Sequence, residues 1–135
     1  TRRLGMTMRL LLDTHALLWW WTDDPQLSAR ARDAISDPAN AVFVSAATAW
    51  ELATKHRLGK LGEAAEAVGR FDELVVADGF QHVPINHYHC LKAGGYAVEH
   101  RDPFDRLLAA QTELEGLVLV TRDPALGLFG VATFW

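Results

Sequence analysis

Two carboxylates, Asp102 and Asp105, lie in the run His100-Arg101-Asp102-Pro103-Phe104-Asp105-Arg106-Leu107-Leu108-Ala109-Ala110-Gln111, where an apolar helix must begin. Pro103 suits the first helical position, because its missing N–H would be unbonded there anyway, and Asp102 before it is a good N-cap. Asp105 falls three residues after the cap, on the same side of the first turn, with Leu107, Leu108 and Gln111 repeating at helical spacing behind it. Taken alone, this is equally a capping box with Asp in place of Glu. Three more acids change that balance: Asp13 after Leu10-Leu11-Leu12, Glu51 between Trp50 and Leu52, and Asp123 after Leu119-Val120-Thr121-Arg122. Carboxylates about 5 Å apart repel by roughly 3 kcal/mol per pair at an effective dielectric near 20, a liability that a divalent cation removes. Oxygen-only ligands favour Mg²⁺, with Mn²⁺ as a substitute. Such a site serves metal-assisted hydrolysis of a phosphodiester backbone.

These acids can act together only if the chain folds them to one place. Arg9 to Leu12 is a short unbroken apolar run that suits a strand buried on both faces, and it ends at Asp13. His15 to Trp21 and Leu27 to Ile35 read as two helices. Ala41 to Val44 is a second buried strand, and Ser45 caps a helix that carries Glu51 and runs to about Leu58, with Gly59 as its stop. Glu63 to about Ala77 has the period of one further helix, Phe80 to Ile85 that of a third strand. A helical stretch from Asn86 to Lys92 is expected to break at Gly94-Gly95. The Asp102–Asp105 helix then runs to about Glu115 and feeds Leu117 to Val120, the most β-rich run, and Val131 to Trp135 reads as a short last strand. Strands alternating with helices indicate βαβ units, hence an α/β fold with a mostly parallel sheet and right-handed crossovers. In such a sheet ligands sit beyond the carboxyl ends of the strands, the edge that Asp13 and Asp123 share.

Composition narrows the class. The 135 residues suit a single domain, here 8–135, with 1–7 read as a flexible tail or expression remnant outside the fold. Half the residues are hydrophobic, yet no apolar run is long enough for a membrane helix, so no membrane partner is expected. A lone cysteine, Cys90, excludes an internal disulfide framework, and 1–7 lack the apolar core of a signal peptide, which together suggest the cytoplasm. The formal charge of −4 argues against a non-specific nucleic-acid binder that relies on a basic surface, though not against one that holds phosphates through metal ions.

With these acids in view the sequence resembles the PIN-domain family, specifically the VapC-type toxins of bacterial toxin–antitoxin pairs. The likeness is carried by Leu10 to Trp19, Val44 to Glu51, His100 to Gln111 and Leu119 to Asp123, in the family's order and within a span from about Met8 to Trp135. It implies a PIN-like three-layer α/β/α sandwich with four to five short strands. It also implies a Mg²⁺-dependent endoribonuclease whose acidic quartet maps onto Asp13, Glu51, Asp105 and Asp123. Asp13 and Asp105 would hold the principal ion, with Glu51 and Asp123 bound directly or through water. The partners implied are an RNA substrate, a cognate antitoxin and a second copy in a homodimer.

Other residues carry weaker signals. Thr14 and Thr121 each stand beside a strand-end acid, where a hydroxyl can hold a water or bond backbone; Asp102 reads mainly as a cap. Lys55, Arg57, Arg106 and Arg122 are candidate RNA contacts, against helix-dipole and charge-balancing roles. Trp19-Trp20-Trp21 cannot all face one core from a single helix, so at least one is expected near the surface, as an anchor for a dimer or antitoxin contact or as a base-stacking ring. His87-Tyr88-His89-Cys90 lacks the second ligand pair of a zinc site. Two other classes compete with the nuclease: a catalytically silent PIN-like binding module, and a phosphotransfer domain. The last lacks the acid pair and the strand-end Lys that it requires.

Overall fold

The computed structural model describes residues 7–135. Most of the expected tail, residues 1–6, lies outside the described residues. The elements follow in the order β1 (Arg9–Leu12), α1 (Thr14–Trp21), α2 (Ala29–Ser36), β2 (Ala41–Ser45), α3 (Ala46–Arg57), a short 3₁₀ turn (Gly62–Ala64), α4 (Ala65–Gly69), α5 (Phe71–Ala77), β3 (Gln81–Val83), α6 (His87–Gly95), α7 (Pro103–Leu114), β4 (Val118–Val120), α8 (Pro124–Gly127) and β5 (Thr133–Phe134). The sheet order is β3-β2-β1-β4-β5, and every pairing is parallel.

Period-two alternation along β1 explains the three layers. Leu10 and Leu12 join Leu17, Ile35 and Val75 on one face, while Leu11 joins Leu108, Leu119 and Leu126 on the other. All three β1 leucines are fully buried. A strand covered on both faces has no polar positions to alternate, hence the unbroken apolar run. The described chain is therefore an α/β/α sandwich, and among its described residues no helix is long and apolar enough to cross a membrane.

Three local expectations change. The stretch from Glu63 to Ala77 is not one helix: it turns at Gly69-Arg70, where Arg70 leaves helical geometry at φ −117°. Glycine is a poor helix former, and the break still lets Val68, Phe71 and Val75 reach the same core. The third strand is shorter than Phe80 to Ile85, because Pro84 has no N–H to extend the ladder with β2. Helix α6 runs through Gly94 and Gly95 instead of breaking there, and it ends at Tyr96. Its start is secured by a reciprocal cap between Asn86 and His89, and Ala93 packs beside Leu107 and Ala110 of α7.

One buried polar side chain ties the acid-bearing helices together. Gln111 of α7 is fully buried; its amide nitrogen donates to the Pro84 carbonyl at 3.2 Å, and its oxygen accepts from the Ser45 hydroxyl. Ser45 in turn caps α3, accepting from the Ala47 N–H at 2.9 Å. The position of Glu51 on α3 and that of Asp105 on α7 thus share one hydrogen-bonded anchor. Replacing Gln111 by Leu leaves the buried Ser45 hydroxyl without its acceptor and removes the tie to the Pro84 carbonyl, at about 1–3 kcal/mol. Thermal denaturation of Gln111→Leu is expected to show a melting temperature lower by several degrees; an unchanged value would mean that the anchor contributes nothing.

Candidate active site

The sheet changes winding direction at β1. From β1 the chain steps outward to β2 and β3 on one side, then returns to add β4 and β5 on the other. The crevice between the carboxyl ends of β1 and β4 is the switch point where open α/β sheets bind ligands. Leu12 pairs with Val120, and the Asp13 N–H donates to the Val120 carbonyl at 3.1 Å, so Asp13 and Thr121 leave adjacent strands side by side. The Thr121 hydroxyl bonds the Asp13 carboxylate and also accepts from the Asp123 N–H at 3.1 Å.

Each acid is positioned by its own element. Asp13 caps α1, accepting from the Ala16 N–H at 2.7 Å. Glu51 lies on the inner face of α3, 8% exposed, accepting a 2.6 Å hydrogen bond from the Thr14 hydroxyl and pairing with Lys55 at 3.1 Å. Asp105 sits in the first turn of α7, with His100 Nε2 2.8 Å from its Oδ2. Asp123 caps α8 through the Ala125 N–H at 2.9 Å and is exposed. Asp102 caps α7 by accepting from the N–H groups of Phe104 and Asp105. The capping roles and the convergence coexist: one cleft of about 250 Å³ is lined by Asp13, Glu51, Asp102, Asp105 and Asp123, together with Thr14, His15, Lys55 and Leu126.

That cleft gathers five carboxylates against a single ammonium. The electrostatic consequence is legible at two of them. Burial, above all, raises the pKa of Asp13, with the Glu51 charge adding to it against the hydrogen bonds from Thr121 and Ala16. Asp105 is pushed up to about 6, again chiefly by burial, with the charges of Asp102 and Glu51 adding to it and the contact with His100 opposing. At Asp13 and Asp105 the neighbouring hydrogen bonds do not offset the effect of burial. Among the described residues, no group of three or more His, Cys, Asp or Glu side chains is arranged to hold a metal ion by itself. An all-oxygen donor set around an open cleft instead suits a small hard dication, which takes one or two carboxylates directly and keeps water on its other positions.

The remaining candidates divide. Arg106, expected among RNA contacts, is a structural staple: its guanidinium donates to the carbonyls of Ala93, Tyr96, Val98 and His100 at 2.6–2.8 Å. It fixes the loop that delivers His100 to Asp105, and few of its donors remain for a ligand. Arg57 is exposed in the last turn of α3, two residues beyond Lys55 and outside the lining of the cleft. Arg122 lies beside the cleft over the Trp19 ring. His100, in contact with Asp105, and Gln111, in contact with Ser45 and Pro84, are the supporting positions that residue types did not single out as such. The only sign of His100 was a histidine five residues before Asp105 in the same run.

A family model described as PIN domain matches residues 10–129, nearly the whole chain. The chain belongs to the PIN-domain family. Its fold is similar to VapBC2 from Rickettsia felis bound to a DNA fragment from its promoter, at TM-score 0.69 and 15% identity, covering 94% of this chain and 98% of that one. FitAcB from Neisseria gonorrhoeae matches at TM-score 0.64 and 22% identity, over 93% and 96% of the two chains. VapBC-1 from nontypeable Haemophilus influenzae matches at 0.63 and 17%, over 94% and 97%. No curated protein sequence matches the chain. PIN domains are generally nucleases, and they usually use divalent metal ions.

The raised pKa of Asp105 in this PIN domain has a direct consequence for stability. Between its ordinary value of 3.8 and about 6 the folded state holds more protons than the unfolded one. The contribution of this group is therefore fully stabilising below about pH 4 and is lost as pH rises through about 6. Without divalent cations, Asp105→Asn is expected to melt several degrees above the wild type at pH 7.5, with the difference shrinking towards pH 4. A variant that melts lower at pH 7.5 would show that the carboxylate is stabilised by its neighbours.

Proposed function

We propose that this PIN domain is a Mg²⁺-dependent endoribonuclease, the toxin component of a VapC-type toxin–antitoxin pair acting in the cytoplasm, and that residues 8–135 form its one functional domain. The observation that carries the reading is the meeting of Asp13, Glu51, Asp105 and Asp123, from four separate parts of the chain, in one cleft at the switch point of the sheet. The likeness to VapBC and FitAB structures supports the fold on which this reading rests. By the same family reading, the cognate antitoxin is its partner and a homodimer its assembly.

Asp13 and Asp105 are the residues that would hold the principal Mg²⁺, with Mn²⁺ as a substitute, and Glu51 and Asp123 would complete the site directly or through water. When bound, the cation neutralises the carboxylates and polarises the scissile phosphodiester as a Lewis acid. The chain's own groups do the rest. Thr14 and Lys55 fix the two oxygens of Glu51, leaving its carboxylate oriented at the floor of the cleft. His100 holds one oxygen of Asp105, so that the other faces inward with a defined direction. Thr121 steers Asp13 and, through its hydroxyl, the Asp123 turn. Lys55 at the rim, with Arg57 and Arg122 farther out, supplies positive charge for the phosphates that flank the cleaved bond. Hydrolysis adds water across the bond: its oxygen joins phosphorus and its proton passes to the departing sugar oxygen.

Cleavage of a structured RNA pool by purified protein in Mg²⁺ and in EDTA tests this directly. Asp13→Asn and Asp105→Asn are each expected to lower the rate by at least about a hundredfold while both variants stay folded, consistent with the size of lost transition-state charge stabilisation. Undiminished cleavage in both variants, or full activity in EDTA, would remove the metal-dependent mechanism. A folded wild type that binds a partner yet never cuts RNA would leave the silent module in its place.

A further inference from the structure

Beside the acid cleft lies a second cavity of about 300 Å³, in whose wall His15 and Trp19 have no part in the hydrolytic reading. It shares Asp13, His15 and Asp123 with the acid cleft and adds Trp19, Arg122 and Pro124. His15 and Trp19 are one helical turn apart on α1 and so share a face, with ring centroids 5.5 Å apart and planes tilted by 38°. Arg122, from the turn after β4, lays its guanidinium 4.5 Å above the Trp19 ring, and its outer nitrogen donates to Gln26 Oε1 at 3.3 Å. Trp19 itself is wedged from behind by an edge-on contact with Trp135 at 5.9 Å. Two exposed planar groups, an imidazole and a guanidinium, therefore rest on one braced indole.

The three tryptophans have unequal duties. Trp20 and Trp21 both turn towards α5 and β3, donating to Asp78 at 3.2 and 3.0 Å and packing on Phe80 and Phe71. All three are partly buried, in keeping with the expectation that at least one lies near the surface. Of the three, only Trp19 lines the cavity that shares Asp13 and Asp123 with the acid cleft.

We infer that His15 and Arg122, backed by Trp19, form a stacking subsite for the nucleobase of the nucleotide next to the scissile phosphodiester in single-stranded RNA. Each base offers a π-face to an aromatic ring or an arginine plane, and such stacking recognises single-stranded RNA wherever bases are splayed out. The geometry places this platform against the same two acids, Asp13 and Asp123, that bound the hydrolytic cleft, so a base on the platform has its own phosphate beside those acids. Arg122 adds positive charge to a rim that is otherwise acidic, which favours a nucleotide over a neutral aromatic ligand. The inference rests on the nuclease reading only for the identity of the neighbouring phosphodiester.

Fluorescence polarisation with labelled rA, rC, rG and rU hexanucleotides, in EDTA and in Ca²⁺, measures the subsite independently of cleavage. Stacking of one base contributes enough that His15→Ala and Arg122→Ala are each expected to weaken binding about tenfold. His15→Phe, which keeps a planar ring, is expected to recover most of the lost affinity. Both side chains are exposed, so the variants are expected to fold and to keep the wild-type thermal response to Mg²⁺. In the cleavage assay, the same alanine variants should raise KM or alter the base found at the cut ends. Wild-type protein that binds the hexanucleotides through His15 and Arg122 but does not cut RNA would sustain the subsite while ending the nuclease reading. Unchanged affinity in both alanine variants, or no hexanucleotide binding by the wild type, would overturn the subsite.

Discussion

Like charges forced together in a poorly solvated crevice dominate this molecule. Asp13 and Glu51 are almost wholly buried, Asp105 is largely so, and each has another acid among the charges acting on it or lining its cleft. A fold that tolerates this must hold the acids by means stronger than their repulsion, and the means here are backbone ones. Asp13, Asp102 and Asp123 each cap a helix, so the N–H groups and partial positive charge of three helix starts point at the same region. Capping therefore does not compete with the functional reading. It is how the scaffold fixes the direction of three carboxylates that have every electrostatic reason to separate.

Around that crevice the supporting contacts are specific. Gln111 joins the end of β2 and the start of α3 to α7, and Arg106 gathers the carbonyls of the segment before α7. Small side chains at Ala47, Ala93 and Ala110 let α3, α6 and α7 approach closely enough for Glu51 and Asp105 to face one cleft. Thr14, Lys55 and His100 then set the rotamers of the acids themselves. Rigid elements, supported side chains and a solvent-facing opening are what a site for an octahedral cation and a phosphodiester requires.

Much of this was legible in the residues. The apolar runs ending in Asp13 and Thr121 announced strands of a parallel sheet, and Pro103 after Asp102 marked the start of α7, because strand burial and capping act locally. The split of the Glu63 to Ala77 stretch was not legible, since a period of 3.6 continues across Gly69-Arg70 even where the backbone turns. Helix α6 likewise takes in its two glycines and ends on the second, because glycine lowers helix propensity without forbidding helical geometry. Arg106 resembled a ligand contact in sequence, where charge is visible but the four carbonyls that it serves are not. His100 and the separate orientations of Trp19, Trp20 and Trp21 depend on distant partners, which no local pattern records.

The central physical claim is that the crevice is built to receive a hard dication. Electron paramagnetic resonance of Mn²⁺ measures this without any substrate, because bound ion loses the sharp six-line signal of the free hexaaquo ion. Titrating Mn²⁺ into the wild-type chain at pH 7.5 should quench the signal of at least one ion per chain, Mg²⁺ should restore it by competition, and Asp13→Asn should abolish the quenching. A free-ion signal that rises in proportion to added Mn²⁺ from the first aliquot, identical with and without wild-type protein, would contradict the account.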